Sequence, residues 1–324
     1  MDPRTLPALI VVEPHLKSQW VEQIKYFAPQ LKVHTINTGK VYTLPKAHIY
    51  IINYTLLSKW VDILNRGWLG SIVAEEAQNL RRTESDKYKA FQAISGTVPY
   101  ALALSGTPIY NMGEEFFNVL NALREGCLGE RIEFYREWVY QGGCDNGRIK
   151  DTKAFGAYLR DQFIMLRRTE EDIDLQLPKL CETIHEIEYN ETILDDFKGS
   201  AIELAQKIVD QSDVYNKQKG ELSMEFDLKL RQVTGIAKAP YVCGFIDLLL
   251  QTEKNVVIFA WHRAVYSVYL EMLAKYNPVL YTGSENDKQK DKSKYAFING
   301  HSRVLIISLR SGAGLDGLQY HCNY

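Results

Sequence analysis

Short apolar runs of strand length recur along this chain, and most are followed by a stretch whose apolar positions repeat at helical spacing. Ala8–Val12, His48–Asn53, Ser71–Ala74, Tyr100–Ser105, Val256–Ala260, Pro278–Tyr281 and Arg303–Ser308 read as strands. Ser18–Phe27, Ser85–Ser95, Glu114–Leu123, Arg263–Tyr276 and Glu285–Asn299 read as helices. Such alternation predicts an α/β protein with parallel sheets covered on both faces, whose ligands bind beyond the carboxyl ends of the strands. Two stretches break the rhythm. Residues 111–170 and 190–252 carry helical patterns without a convincing strand and are expected to be helical insertions. A glycine-rich loop, Gln141–Arg148, interrupts the first of them. A lobe boundary is expected near Pro178–Glu188, giving lobes of residues 1–182 and 183–324, with the strand-like run Cys181–Tyr189 opening the second.

Composition narrows this little. With 324 residues, 46% hydrophobic and 24% charged, the chain has the make-up of an ordinary globular protein large enough for two domains. A formal net charge of −2 supplies no global basic field, so any nucleic-acid contact has to come from a local patch. The five cysteines form no Cys-x-x-Cys pair and no Cys–His cluster, which argues against a zinc site and for a reducing compartment. No run is long and apolar enough to span a bilayer, and no signal-like leader opens the chain. The expected location is the cytoplasm or, in a eukaryote, the nucleus.

Candidate chemistry sits at two strand ends. In Ser71–Asn79 an apolar strand runs straight into two carboxylates, Glu75 and Glu76. In a nucleotide hydrolase such a pair divides the work: the first acid holds magnesium, usually through water, and the second orients or deprotonates the attacking water. A charged strand end with no chemistry fits the same residues. In Ala101–Asn111 a second strand meets Gly106 and Pro108 in a tight exit that leaves the Ser105 and Thr107 hydroxyls at the sheet edge, as an ordinary hydroxyl turn also would. Two such segments, in order and on neighbouring strands, favour one crevice.

These residues also carry a family resemblance. Glu-Glu-Ala-Gln-Asn followed by Leu-Ser-Gly-Thr-Pro-Ile-Tyr-Asn resembles motifs II and III of superfamily-two helicases, specifically the SWI/SNF-type translocases. Residues 9–29 resemble their motif Ia, 51–60 motif Ib, 258–263 motif IV and 305–319 motif V, while the Leu-Arg-Arg at 166–168 resembles a segment typical of the family. The resemblance implies two RecA-like lobes, ATP and magnesium as cofactors, double-stranded DNA as partner, no membrane, and a monomer. It gives Glu75 the magnesium position, Glu76 that of the catalytic base, and Gln78 a link from them to the other lobe. Ser105, Gly106 and Thr107 would couple hydrolysis to movement. His15, Lys17, Asn53 and Tyr54 would meet one DNA strand from the first lobe. Thr282, Gly283, Ser308, Arg310, Ser311 and Gly312 would meet it from the second. Arg167 and Arg168 fit either a structural clamp or DNA, and Trp20 and Trp261 are expected in the core.

Three departures from that pattern shape the expectation. Only Met1–Pro7 precede the first strand, and the one Gly-Lys, Gly39-Lys40, has His34 where the leading glycine of a Walker A loop belongs. Motif VI, with its arginine fingers, is not found after motif V. Glu75 stands where the family has aspartate, and the longer side chain fits the strict octahedron of magnesium less well. The chain is thus expected to be a truncated translocase with impaired ATP turnover, its ATP site completed by a second polypeptide in one version. A non-catalytic DNA-binding or scaffold protein that reuses the fold is the alternative.

Overall fold

The computed structural model describes residues 2–108, 112–143, 145–169, 172, 181–195, 197–199, 216–309, 311–312 and 314–322, the backbone alone for 216–222. The chain divides into two compact units, Met1–Lys179 and Leu180–Tyr324.

Unit 1 is built on five parallel strands, β1 (Ala8–Val12), β2 (Val33–Thr35), β3 (Ile49–Asn53), β4 (Ser71–Glu75) and β5 (Tyr100–Leu104), in the order β2-β3-β1-β4-β5. The two-residue period of β1 decides what covers each face. Leu9 and Val11 join Tyr50, Ile52, Ile72 and Ala74 beneath helices α2 (Leu57–Leu64) and α3 (Asp86–Ser95), with Trp60 and Phe91 as the large fillers. Ile10 and Val12 join Ile49 and Ile51 on the opposite face, beneath α1 (Lys17–Phe27) with Trp20 and Ile24. Ser85 caps α3 by accepting the Tyr88 N–H, and Asp86 in the first turn suits the helix dipole. Parallel register then sets the site. Val12 lies opposite Asn53, Val11 opposite Ala74 and Glu75 opposite Leu104, so Glu13, Asn53, Glu75 and Ser105 reach one edge of the sheet.

Helices Gly113–Leu123, Arg131–Trp138 and Thr152–Asp161 form the expected insertion, packed around Phe116, Phe134 and Phe155. Val139 and Ile149 bridge across the glycine-rich loop.

Unit 2 carries β6 (Val256–Ala260), β7 (Val279–Tyr281) and β8 (Val304–Ser308), all parallel, in the order β6-β8-β7. Helices Asn216–Leu249 and Arg263–Met272 bury Cys243, Ile246, Val265 and Tyr269 against Val304 and Ile306. Phe297, on helix Asp287–Ile298, packs with Tyr281, Leu305 and Ile307.

Two parallel α/β units with a helical insertion in the first match the expected fold class, and three local expectations are corrected. Residues 181–190 contain no strand. The several helices expected across 190–252 include one continuous 34-residue helix, Asn216–Leu249, which runs through Pro240. Trp261, expected in the core, is 42% exposed. Among the described residues no helix is long and apolar enough to cross a membrane.

Candidate functional site

The acid pair sits at a backbone reversal that the surrounding chain has to enforce. Glu76 adopts a left-handed conformation, φ 50° and ψ 55°, in which Cβ crowds the backbone at a cost of roughly 1–2 kcal/mol. Both carbonyls of the pair are pinned. The Tyr54 hydroxyl donates to the Glu75 carbonyl at 2.7 Å. Asn79 donates its backbone N–H (2.9 Å) and its side-chain Nδ2 (3.1 Å) to the Glu76 carbonyl. Ala77 and Leu80, both buried, anchor the 3-10 turn that follows. A strained residue over-determined by its neighbours is a common mark of a functional site.

The carboxylates differ in environment. Glu75 Oε2 is buried with no hydrogen-bond partner among the described residues. Burial, then the nearby charges of Glu76 and Glu13, push the Glu75 carboxyl up to about 7 from its ordinary 4.5. A half-buried carboxylate with an orphaned oxygen fits a magnesium ion, which is commonly held by one or two carboxylates with water and phosphate oxygens as its other ligands. Glu76 Oε2 instead accepts from Gln78 Nε2 at 2.6 Å. Gln78 Oε1 accepts the Ser105 hydroxyl at 2.7 Å, and Ser105 Oγ accepts the Thr107 N–H at 3.1 Å. One hydrogen-bonded line thus runs from the exit of β5 to the acid after β4. Both ends of the Gln78 amide are engaged within unit 1. Gly106 lies in the exposed turn between the two hydroxyl residues.

Three further residues complete the cluster and were not singled out from the sequence. Asn79 Nδ2 also donates to Glu13 Oε1 at 2.7 Å. Lys87 Nζ donates to Asn79 Oδ1 at 2.9 Å and lies 5.7 Å from the Tyr54 ring centroid. Burial lowers the Lys87 pKa, partly countered by the Glu13 charge. The signal that could have found Glu13 is the pattern seen at Glu75, an apolar strand running into a carboxylate on a neighbouring strand of the same sheet.

The raised Glu75 pKa has a testable sign. Its folded value lies above its unfolded value, so the folded state holds the extra proton between pH 4.5 and about 7, and this contribution to stability fades as pH rises through that window. Glu75→Gln is therefore expected to match the native chain at pH 4 and to exceed it at pH 8. The gain in urea unfolding should be about 1–2 kcal/mol, discounted for partial exposure. Equal stabilities at pH 8 would contradict this reading.

The nucleic-acid candidates are placed less uniformly. His15 lies in the turn Pro14–Leu16, and Lys17 Nζ donates to Asn37 Oδ1 at 2.8 Å. Asn53 (5% exposed) and Tyr54 (3%) point their side chains inward. In unit 2, Thr282 is buried and Gly283 is exposed at the exit of β7. The Ser308 hydroxyl donates to Ser311 Oγ at 2.8 Å, and the Ser311 and Gly312 N–H groups both donate to the Ser308 carbonyl. Arg310 lies outside the described residues. Gly39-Lys40 lies between β2 and β3, where Thr38 Oγ1 accepts the Lys40 N–H and the Thr38 carbonyl accepts the Trp60 indole, a local turn rather than a phosphate loop.

Comparison with known proteins gives a consistent result. The model of the SNF2-related domain matches residues 2–237. An uncharacterized ATP-dependent helicase of Mycoplasma pneumoniae is 22% identical over 330 residues, covering 95% of this chain and 30% of that protein. The SWI/SNF-related matrix-associated actin-dependent regulator of chromatin subfamily A-like protein 1 of Drosophila melanogaster is 22% identical over 319 residues, covering 94% and 40%. A DNA annealing helicase and endonuclease of Mus musculus is 24% identical over 328 residues, covering 95% and 30%. The chain thus spans between 30% and 40% of the length of these relatives. Among solved structures, the Sulfolobus solfataricus SWI2/SNF2 ATPase core in complex with dsDNA aligns with a TM-score of 0.47 and 21% identity, covering 94% of this chain and 68% of that one.

Proposed function

We propose, from the premise that the chain belongs to the SNF2-related domain family, that these residues form the central part of an ATP-dependent translocase acting on double-stranded DNA. In this reading residues 1–182 and 183–324 are two RecA-like lobes, and ATP hydrolysis at the first is turned into movement along one strand of the duplex. The observation that carries it is the contrast within the acid pair: Glu75 with an orphaned buried oxygen, Glu76 clamped in a left-handed turn.

Magnesium bound with ATP would neutralise charge on the phosphates. Glu75 is the residue that would hold it. Glu76 positions the attacking water and takes its proton, with Gln78 fixing the carboxylate through Oε2. A shift of the Ser105–Thr107 turn pulls on Gln78 through the Ser105 hydroxyl and so reaches Glu76. That line is the coupling route. Lys17, Gly283 and Arg310 offer a cation or an N–H to DNA phosphates, with His15, Asn53, Tyr54, Thr282, Ser308, Ser311 and Gly312 shaping the segments that carry them. Residues 1–324 hold no Gly-x-x-x-x-Gly-Lys, and this reading includes a second polypeptide that completes the ATP site.

A non-catalytic DNA-binding scaffold is the competing reading, favoured by the same lack of a phosphate loop. Both predict duplex binding, and the difference lies in the effect of ATP. Duplex affinity, followed by fluorescence anisotropy, is expected to fall about tenfold or more between 50 and 200 mM salt as phosphate contacts are screened. It is also expected to change on adding magnesium-ATP to the longest polypeptide that carries these residues. Affinity indifferent to magnesium-ATP would favour the scaffold, and no duplex binding at low salt would end both readings.

A further inference from the structure

The exit of β7 holds an anion already, and the anion is part of the chain. Thr282 is 2% exposed, and its backbone N–H donates to Glu285 Oε2 at 2.6 Å, a short charge-assisted contact. Ser284 donates its N–H to Thr282 Oγ1 at 3.2 Å, closing a tight turn around Gly283. Gly283 is exposed, and nothing lies within 4 Å of the place its Cβ would take, so a ligand can approach this backbone closely. The helix that follows, Asp287–Ile298, carries lysines at 288, 290, 292 and 294. Lys290 is spent on the fold, its ammonium 5.4 Å from the Tyr281 ring centroid. Lys288 and Lys292 are exposed. The local setting is therefore a lysine-rich helix with Asp287 in its first turn and an open glycine turn before it, with one carboxylate on the N–H at the strand exit.

We propose that Glu285 is a built-in competitor for the DNA phosphate at this strand exit, and that its carboxylate leaves the Thr282 N–H when a phosphate takes that place. The inference rests on the reading that Thr282 and Gly283 meet a DNA phosphate. Carboxylate and phosphate oxygens are both ionised acceptors for a backbone N–H, and a carboxylate three residues along the chain is present at high effective concentration. A lone phosphate ion displaces it poorly. A duplex that holds its other phosphates on both sides of the turn displaces it readily. Glu285 therefore weakens static DNA binding and offers the site a way to let go of one phosphate before taking the next.

A simple capping role would look the same in the structure but behaves differently on substitution. Glu285→Gln keeps an amide oxygen for the Thr282 N–H, so the turn survives while the internal anion is lost. Asp287→Asn removes the same charge two residues away, from an exposed side chain, and serves as the control for general electrostatics. Binding of a labelled duplex is measured by fluorescence anisotropy across a salt series for the native chain and both variants. The expected result is that E285Q binds about tenfold tighter, with a slope of log affinity against log salt steeper by about one phosphate contact, while D287N changes affinity by no more than about twofold. Equal shifts for E285Q and D287N, or none for E285Q, would overturn the proposal and leave the translocase reading standing. Absence of duplex binding by all three would remove the proposal and that reading together.

Discussion

Glu76→Gln is expected to cut duplex-stimulated ATP hydrolysis by about 10²–10⁴-fold while leaving duplex affinity within about twofold. The range is that of a lost general base. The substitution is nearly isosteric, so the left-handed turn and the two hydrogen bonds from Asn79 to the residue-76 carbonyl persist. What changes is the atom that accepts the water's proton, and with it the partner of Gln78 Nε2. The Glu75 carboxyl also loses the larger of the two charges that raise it after burial, so it holds a proton less tightly and meets a cation no worse. A loss of hydrolysis in E76Q is therefore not a loss of the metal position. The assay is steady-state phosphate release by the longest polypeptide that carries these residues. Undiminished release in E76Q would remove Glu76 from the chemistry.

Trp60→Ala should destabilise unit 1 by about 3–5 kcal/mol, the usual cost of truncating a large buried aromatic. The indole is fully buried in the cluster beneath β1, β3 and β4, meets the Tyr42 ring edge-on at 4.9 Å, and donates to the Thr38 carbonyl at 2.7 Å. Truncation leaves both a cavity and a carbonyl without its donor. Trp60→Phe separates the two terms, since it fills most of the volume and loses the N–H, and is expected to cost about 1–2 kcal/mol. Urea unfolding followed by far-UV circular dichroism measures both. A cost under 1 kcal/mol for W60A would mean that the indole does not hold α2 to the sheet.

Strands were legible where their residues are apolar without interruption. Ala8–Val12, buried throughout, and Val256–Ala260, exposed at Phe259, both fall at the boundaries read from the sequence. β2 was not legible. Val33-His34-Thr35 has no strand signature, and it is extended because β3 offers it a ladder, Val33 opposite Ile49 and Thr35 opposite Ile51. Cys181–Tyr189 fails in the opposite sense. Its alternation says which side chains would share a face but not whether a neighbouring strand exists. Instead His185 packs against Phe245 on the long helix, ring centroids 4.6 Å apart. That helix looked divided because Pro240 and three glycines, Gly220, Gly235 and Gly244, fall within it. Ala239, Cys243 and Ile246, packed against Val265 and Tyr269, offset the lost hydrogen bond and carry the helix through.

The site was legible where chemistry follows chain order and hidden where it does not. Glu75, Glu76, Gln78 and Ser105 belong to two contiguous segments, and the hydrogen bonds found among them link residues already singled out. Glu13, by contrast, meets Asn79 only because parallel register brings the ends of β1 and β4 together. Its sequence neighbour Pro14 suggests no more than a strand exit. Lys87 reaches the same amide from the first turn of α3, a placement fixed by the packing of Tyr88 and Phe91 rather than by any local pattern. The contact between Glu285 and the Thr282 N–H is short in sequence, yet the chain alone gives no sign of which N–H the carboxylate takes.

If these residues turn ATP hydrolysis into action on duplex DNA, phosphate release has to depend on the duplex. The measurement uses the longest polypeptide that carries residues 1–324, with single-stranded DNA of the same sequence as the comparison. Release is expected to rise at least about tenfold with duplex, to rise less with the single strand, and to fall by about 10²–10⁴-fold in E76Q. Release that is unchanged by duplex in the native protein, with tight and salt-sensitive duplex binding intact, would contradict the translocase reading and leave a DNA-binding scaffold in its place.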